Sequence, residues 1–435
     1  MTTTPDEDQG AVQARGGRGL LSVASGLAIF GLATYGHLGL AGAALGPVGL
    51  APLSVLWSLL NAVGIGLFLP FEQELGRRTA ERRARGEGNA PVARQALVGA
   101  GVVLAVVVVI VSLGAGVMSA QLFAGVGAMV PLFLLAMAGM AASYVLRGLL
   151  SGNGRFGRYG AQLAVDGVLR FGGALVLTAV GSSSVLAYGS LLVVAPVLAV
   201  LITVPRPSSI VTPGPSQVAR VAAVGLGTLI AASLASQVLA NAGPIIVELL
   251  ATADEAAASG RFVAALVIAR VPLFVFAAVQ AVLLPGLAAA VGARQASTFR
   301  SRMVVVSVAT VAIGIVGTVA VWLVGADLVP LVFSDAFGIE RGVITLIAAS
   351  GAVFMVAQVA AQALLALGAE RIVVVGWSVG LVILVLTLAW QGPIAERAAL
   401  ALLTGSVGAF VVLALGTLVT YRRWITGGSG VPAPV

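Results

Sequence analysis

The chain has 435 residues, 59% of them hydrophobic and only 9% charged, with a formal net charge of +8. A soluble domain carries about 25% charge, and a soluble fold of this length has no interior large enough to hide so much apolar surface, whereas a bilayer accepts it as the protein's outer face. The basic residues are all Arg, Lys being absent, and they sit in short breaks between apolar runs, which excludes a nucleic-acid surface.

Residues Met1–Gly19 contain Pro5 and five charged side chains without an apolar stretch. They read as a disordered cytoplasmic tail (1–19) and not as a secretory signal. Beyond them, breaks at charge, Pro and Gly clusters divide the chain into twelve apolar segments of about the length a span requires. Their limits are 20–40, 50–71, 95–116, 124–147, 160–181, 184–204, 218–248, 261–285, 303–325, 341–367, 371–391 and 398–421.

With the N-terminus inside, the inner connections hold nineteen arginines and the outer ones three, Arg261, Arg341 and Arg397. Arginine is retained on the cytoplasmic side, so both termini are expected there. The Arg-rich segment Phe71–Arg94, which also holds Glu72, Glu74, Glu81 and Glu87, reads either as an amphipathic helix on anionic headgroups or as a solvated topology determinant.

The stretch from 204 to 217, VPRPSSIVTPGPSQ, holds four prolines at mid-chain and reads as a linker. The halves on either side resemble each other. Leu-Pro closes span two at Pro70 and span eight at Pro285, an offset of 285−70=215; Leu149-Leu150 and Leu364-Leu365 close spans four and ten, again 364−149=215. Six spans per half preserve orientation, which makes a parallel repeat about an axis along the membrane normal. The expected organisation is therefore an all-α integral membrane protein of about twelve transmembrane helices in two pseudo-symmetric six-helix lobes. Its parts are the tail 1–19, an N-lobe 20–204, a Pro-rich cytoplasmic linker 205–217, a C-lobe 218–421 and a cytoplasmic tail 422–435.

Cysteine is absent and His37 is the sole histidine, so neither a disulfide, a thiolate nor a His cluster for a metal is available. A Walker-type loop requires the missing Lys, and no cofactor is called for. Charge within a bilayer costs at least about 2.5 kcal/mol, so each buried charge needs a reason. Arg270 lies about nine residues into span eight, roughly 13 Å deep at about 1.5 Å per residue. Pro272 should kink the helix beside it. Its guanidinium suits a phosphate in fork geometry; alternatively it satisfies helix carbonyls freed at the kink. Asp166 and Arg170 share one helical face, as a coupling carboxylate held by an Arg or as a structural pair. Ser233, Gln237 and Asn241 form a stripe on span seven, Ser54, Ser58 and Asn61 one on span two, and Gln358 and Gln362 one on span ten. Such stripes either knit helices together or line a polar cavity. His37 titrates near neutrality when unperturbed, and its place at the outer end of span one also fits an interfacial, hydrogen-bonded residue.

Several segments resemble polysaccharide flippases of the multidrug/oligosaccharidyl-lipid/polysaccharide (MOP) superfamily. They are Leu45–Arg78 (LGPVGLAPLSVLWSLLNAVGIGLFLPFEQELGRR), Tyr144–Gly160 (YVLRGLLSGNGRFGRYG), Gly260–Ala288 and Leu328–Gly351. The resemblance implies two six-helix lobes in a V around a cavity that opens alternately to each side, as in the related MATE transporters. It implies a bacterial plasma-membrane protein flipping a polyprenyl-pyrophosphate-linked saccharide outward, with membrane lipids and other surface-polysaccharide assembly proteins as partners; since each lobe supplies its own partner, a monomer is expected. One departure weakens that cargo: flippases of lipid-linked precursors often line the cavity with several cations, and few lie deep in a span here. The alternative is a drug or metabolite antiporter coupled to protons or sodium, with Asp166 as the one deep acid. An enzyme is disfavoured, since the first outer loop, Ala41–Gly49, carries no acid, His or Cys.

Overall fold

Backbone in hydrocarbon must satisfy its own N–H and C=O groups, and a single-segment span can do so only as a helix. A computed structural model describes residues 5–215 and 220–426, and among them it holds helices and turns but no strand. Residues 1–4, 216–217 and 427–435 of the expected tails and linker lie outside the described residues.

Among the described residues, ten helical segments are long and apolar enough to cross a membrane. This agrees with the expected count of about twelve: spans one and two fall within one stretch, 21–84, bent at Gly46, and span eight is divided between Ala258–Ala269 and the 22-residue Val271–Gly292. The first helix, α1 (Pro5–Leu59), passes through a π-helical turn (Leu60–Ile65) into α2 (Gly66–Ala84). The bend between the spans is at Gly46, with φ 68° and ψ 173°. Only glycine adopts that conformation cheaply, and Pro47 favours an extended residue before it. The stretch expected as a disordered tail is helical from Pro5 onward; extending an existing helix avoids the cost of a new nucleus.

Next come α3 (Ala90–Leu113), the short α4 (Ala115–Leu122), α5 (Met129–Gly152), α6 (Phe156–Ala179) and α7 (Val185–Thr203). The second half has α8 (Arg220–Leu250), α9 (Ala258–Ala269), α10 (Val271–Gly292), α11 (Ala296–Ala320), α12 (Ala326–Val332), α13 (Arg341–Ala366), α14 (Glu370–Thr387) and α15 (Ile394–Thr426). α3 exposes Val98, Val102, Val106, Val109 and Ile110, and α11 exposes Val304, Val305, Val308 and Ile315. Apolar surface this continuous does not stand in water; it faces lipid. The chain is a multi-pass membrane protein.

Helices in a bilayer gain little from apolar burial and associate through close packing of small residues. A Cβ on Gly26 of α1 would lie 2.3 Å from the carbonyl oxygen of Gly160 on α6, and one on Gly160 would lie 2.1 Å from that of Ser22. Only glycines allow α1 and α6 to cross at this distance.

The chain divides into two compact units, 1–41 with 67–119 and 127–226, and 42–66 with 120–126 and 227–435. Segment 42–66, placed by sequence in the first lobe, belongs to the second unit. In that unit a Cβ on Gly66 would meet the Cα of Leu234 in α8 at 2.8 Å, so the polar stripe of span two and that of α8 are in one body.

The described part of the linker is not a free tether. Ile210 is buried, and its carbonyl accepts hydrogen bonds from Asn89 Nδ2 at 2.8 Å and Asn153 Nδ2 at 3.0 Å. Thr212 donates its N–H to Asn89 Oδ1 at 2.9 Å, and Arg82 Nη2 donates to the Pro215 carbonyl at 2.8 Å. Residues up to Pro215 are thereby docked on the first unit.

Candidate substrate and coupling sites

In the second unit the site is built around two prolines. Pro272 lacks an N–H and cannot close the ladder to Ile268, four residues back. The helix breaks just before it, at Arg270 (φ −94°, ψ 0°), which ends α9 and precedes α10. Pro244 likewise leaves the carbonyl of Ala240 in α8 without its intrahelical donor. Arg270 supplies the missing donor. Its Nη2 donates to the Ala240 carbonyl, and its Nη1 donates to Asn241 Oδ1 at 2.9 Å. Asn241, buried, donates in turn from Nδ2 to the Gln237 carbonyl at 2.9 Å and to Gln237 Oε1 at 3.3 Å. Of the two sequence readings of Arg270, the one that has it satisfying a carbonyl freed by proline describes its geometry, although the carbonyl lies on α8 and not on its own helix.

Arg270 also borders a cavity of about 20 Å³, with Ala240, Leu273, Ser350, Phe354 and Ser406 in its walls. Such a volume holds roughly one water, so this cavity takes no organic cargo. The other polar stripe residues are not part of that wall. Asn61 lies in the π-helical turn and donates to the Trp57 carbonyl at 2.7 Å. Ser233 offers its carbonyl to Ser236 Oγ at 2.9 Å, Ser54 donates to the Leu50 carbonyl at 2.9 Å, and Ser58 is buried without a partner. Gln358 and Gln362 are half-buried on α13, and Gln362 Oε1 has no partner.

In the first unit Asp166 and Arg170 form the expected pair, both buried on α6. Arg170 Nε donates to Oδ1 at 2.6 Å and Nη2 to Oδ2 at 3.2 Å, and its guanidinium lies 5.1 Å from the Phe30 ring centre. This two-point contact fixes the carboxylate. One turn before Asp166, Gln162 is fully buried with neither amide atom hydrogen-bonded. His37, read from sequence as interfacial or hydrogen-bonded, is fully buried in the unit, both ring nitrogens without a partner, its ring 6.4 Å from that of Tyr188.

A second buried network is not legible as such in the sequence. Arg147 Nε donates to Glu72 Oε2 at 2.7 Å, Tyr159 Oη donates to Glu72 Oε1 at 2.6 Å, and the Arg147 guanidinium covers the Tyr144 ring at 4.1 Å. It ties α2, α5 and α6 together. The close approach is set by Gly148, whose Cβ would lie 2.9 Å from the Glu72 carbonyl oxygen. Glu72 is thus neither on a headgroup-facing helix nor solvated, and Arg82, from the same segment, is fully buried as well. The signal available is positional: Glu72 follows the apolar run ending in Phe71, and Arg147 interrupts the apolar run Tyr144–Leu150.

A scan against protein-family models found no match, and no curated protein matches. Solved structures do. An inward-facing multidrug resistance MATE family transporter of the MOP superfamily superposes with a TM-score of 0.71 at 14% identity, over 94% of this chain and 99% of that one. The fold is that of the MATE transporters. A mutant of the Vibrio cholerae MATE transporter VcmN gives 0.69 at 15% identity, covering 95% and 97% of the two chains, and a MATE in complex with MaD5 gives 0.70 at 14%, covering 94% of each. The MATE-like fold thus extends over 94–95% of this chain and takes in both halves.

Proposed function

We propose that the chain is a secondary transporter which exports a small organic solute by alternating access, in exchange for protons or sodium ions, across a bacterial plasma membrane with both termini cytoplasmic. The observation that carries this reading is the end-to-end likeness to MATE transporters described as multidrug resistance proteins. A second observation ranks it above lipid flipping. The guanidinium that would grip a pyrophosphate, that of Arg270, is committed to Ala240 and Asn241.

In this account Asp166 is the coupling carboxylate. A proton or sodium ion at Asp166 competes with Arg170, releases the guanidinium, and shifts the packing of α6 on α1. His37, buried in the same unit, is a further titratable side chain, and Gln162 offers an uncommitted carbonyl and amide one turn from Asp166. The polar stripe Ser233, Gln237 and Asn241, with Asn61, Gln358 and Gln362, would contact the solute in states where the second unit is opened.

The flippase reading stays as the second, favoured by the resemblance of the segments Leu45–Arg78 and Tyr144–Gly160 to polysaccharide flippases. Cells lacking the gene separate the two. Heightened sensitivity to toxic organic cations, rescued by the native gene and not by Asp166→Asn, supports the exporter. A lost surface glycan with its lipid-linked precursor trapped inside supports the flippase.

A further inference from the structure

Two arginine-rich ends of the molecule look alike in sequence and differ in structure. In the first unit, Arg77, Arg78, Arg82 and Arg85 of α2 are paired with Glu74, Glu81 and Glu87. The α2 arginines thus meet carboxylates of their own segment, although Arg94, Arg158 and Arg206 of that unit are exposed without an ion pair. In the second unit, Arg294, Arg300, Arg302, Arg371, Arg422 and Arg423 are all exposed, and none forms an ion pair among the described residues, Arg302 donating to the Gly286 carbonyl. Glu370 is the only acid in the segments 290–302, 365–372 and 416–426 that carry them, so six positive charges less one negative leave five.

These arginines are gathered by packing. Tyr421 Oη of α15 donates to the Ala296 carbonyl at the start of α11 at 3.2 Å, and the Phe299 and Tyr421 rings stack at 5.4 Å. Trp424 packs against both, at 5.8 and 5.9 Å. A Cβ on Gly416 of α15 would meet Ile372 Cγ2 at 2.5 Å, which brings the start of α14, with Arg371, alongside. Tyr and Trp concentrate at headgroup depth in membrane proteins, so the aromatic cluster places the guanidiniums at that depth.

The helix-ending turns at Gly86, Gly154, Gly181 and Gly368 all have φ near +70° and the same pair of closing hydrogen bonds. The turn between α10 and α11 has that pattern too, with Arg294 N–H donating to Val291 and Gln295 N–H to Ala290, but the residue with positive φ (53°) is Arg294. A left-handed conformation is unfavourable for a residue with a Cβ and free for glycine. An arginine held where four equivalent turns use glycine has a use for its side chain.

We infer that this face of the second unit is a docking surface for anionic phospholipid headgroups, which supply the carboxylate-free arginines with the phosphates they lack in the protein. Guanidinium and phosphate pair in two-point geometry, and the ordered aromatic cluster fixes where the headgroup sits. The inference rests on membrane embedding alone and not on the transport reading.

The test uses the full chain purified in a neutral detergent, its unfolding temperature titrated with phosphatidylglycerol, phosphatidylcholine or inorganic phosphate. Phosphatidylglycerol should raise the unfolding temperature saturably, and the other two should not. Each arginine near a lipid surface contributes roughly a fivefold change in affinity. The half-saturating lipid concentration should therefore rise roughly 100-fold in Arg300→Gln/Arg422→Gln/Arg423→Gln and stay unchanged in Arg77→Gln/Arg78→Gln/Arg85→Gln. Arg294→Gly should unfold at the same or a higher temperature without lipid while needing roughly fivefold more phosphatidylglycerol, a combination that misfolding does not produce. No response to phosphatidylglycerol, an equal response to inorganic phosphate, or an equal loss in the first-unit variant would overturn the inference; the second of these would mark a site for a soluble anion instead.

Discussion

Replacing Arg270 by Leu should destabilise the protein, and by an amount that depends on Pro244. The wild-type guanidinium makes charge-assisted hydrogen bonds to the Ala240 carbonyl and to Asn241, each worth about 1.5–3 kcal/mol. Against that, a charge at mid-membrane depth costs about 2.5 kcal/mol or more. The expected net loss is about 1–3 kcal/mol, most of it from leaving the Ala240 carbonyl buried and unpaired. Pro244→Ala supplies an N–H four residues on, which can close the α8 ladder to that same carbonyl. In the Pro244→Ala background, Arg270→Leu should therefore cost about 1–2 kcal/mol less than it does alone. Equilibrium unfolding of the wild type, both single variants and the double variant in detergent measures this coupling. If the two substitutions add to within about 0.5 kcal/mol, Arg270 does not serve the carbonyl that Pro244 frees, and the phosphate-gripping role recovers its standing.

Breaking the buried pair from one side, with Glu72→Ala or Arg147→Ala, should cost about 3–5 kcal/mol, whereas Glu72→Gln with Arg147→Met should cost far less; thermal unfolding of the three variants decides, and equal losses would refute the pairing argument. Gly160→Val should prevent α1 and α6 from closing, since its Cβ already falls 2.1 Å from the Ser22 carbonyl oxygen. A cysteine pair placed along that crossing, at Gly19 and Phe156, where the two Cβ atoms would lie 3.2 Å apart, should then cross-link more slowly than in the native background, and an unchanged rate would contradict the close approach. Glu255 is held below the usual carboxylate range by the backbone N–H of Thr252, with burial opposing and the Thr252 hydroxyl assisting. A depressed folded pKa contributes stability above the ordinary glutamate pKa that is lost as pH falls through the folded value. Glu255→Ala should thus lower the unfolding temperature slightly at pH 7 and not at all at the acid end of that window; a pH-independent difference would contradict the capping box.

The spans are readable because hydropathy is a one-dimensional property, and the break in span eight because Pro272 announces it. The partner of Arg270 is half readable. Pro244 marks Ala240 as a carbonyl without a donor, but no local pattern says which donor arrives from 30 residues away. Glu72 is hidden by its neighbours: Arg77, Arg78, Arg82, Arg83 and Arg85 follow it closely in sequence, and its actual partner, Arg147, is 75 residues on. The transfer of segment 42–66 to the second unit turns on the Gly46–Pro47 bend, which redirects the chain without changing its composition. Counting arginines also conceals which of them are paired: those of α2 reach Glu74, Glu81 and Glu87, whereas the six exposed arginines of the second unit form no ion pair among the described residues.

The most direct test of the transport account is flux in proteoliposomes loaded with a fluorescent organic cation and given an imposed proton or sodium gradient. Gradient-dependent movement of the cation by the native protein is expected, and its loss in Asp166→Asn at equal amounts of folded protein in the vesicles. No gradient-dependent flux, together with transbilayer movement of a polyprenyl-pyrophosphate saccharide in the same vesicles, would contradict it and assign the fold to lipid flipping.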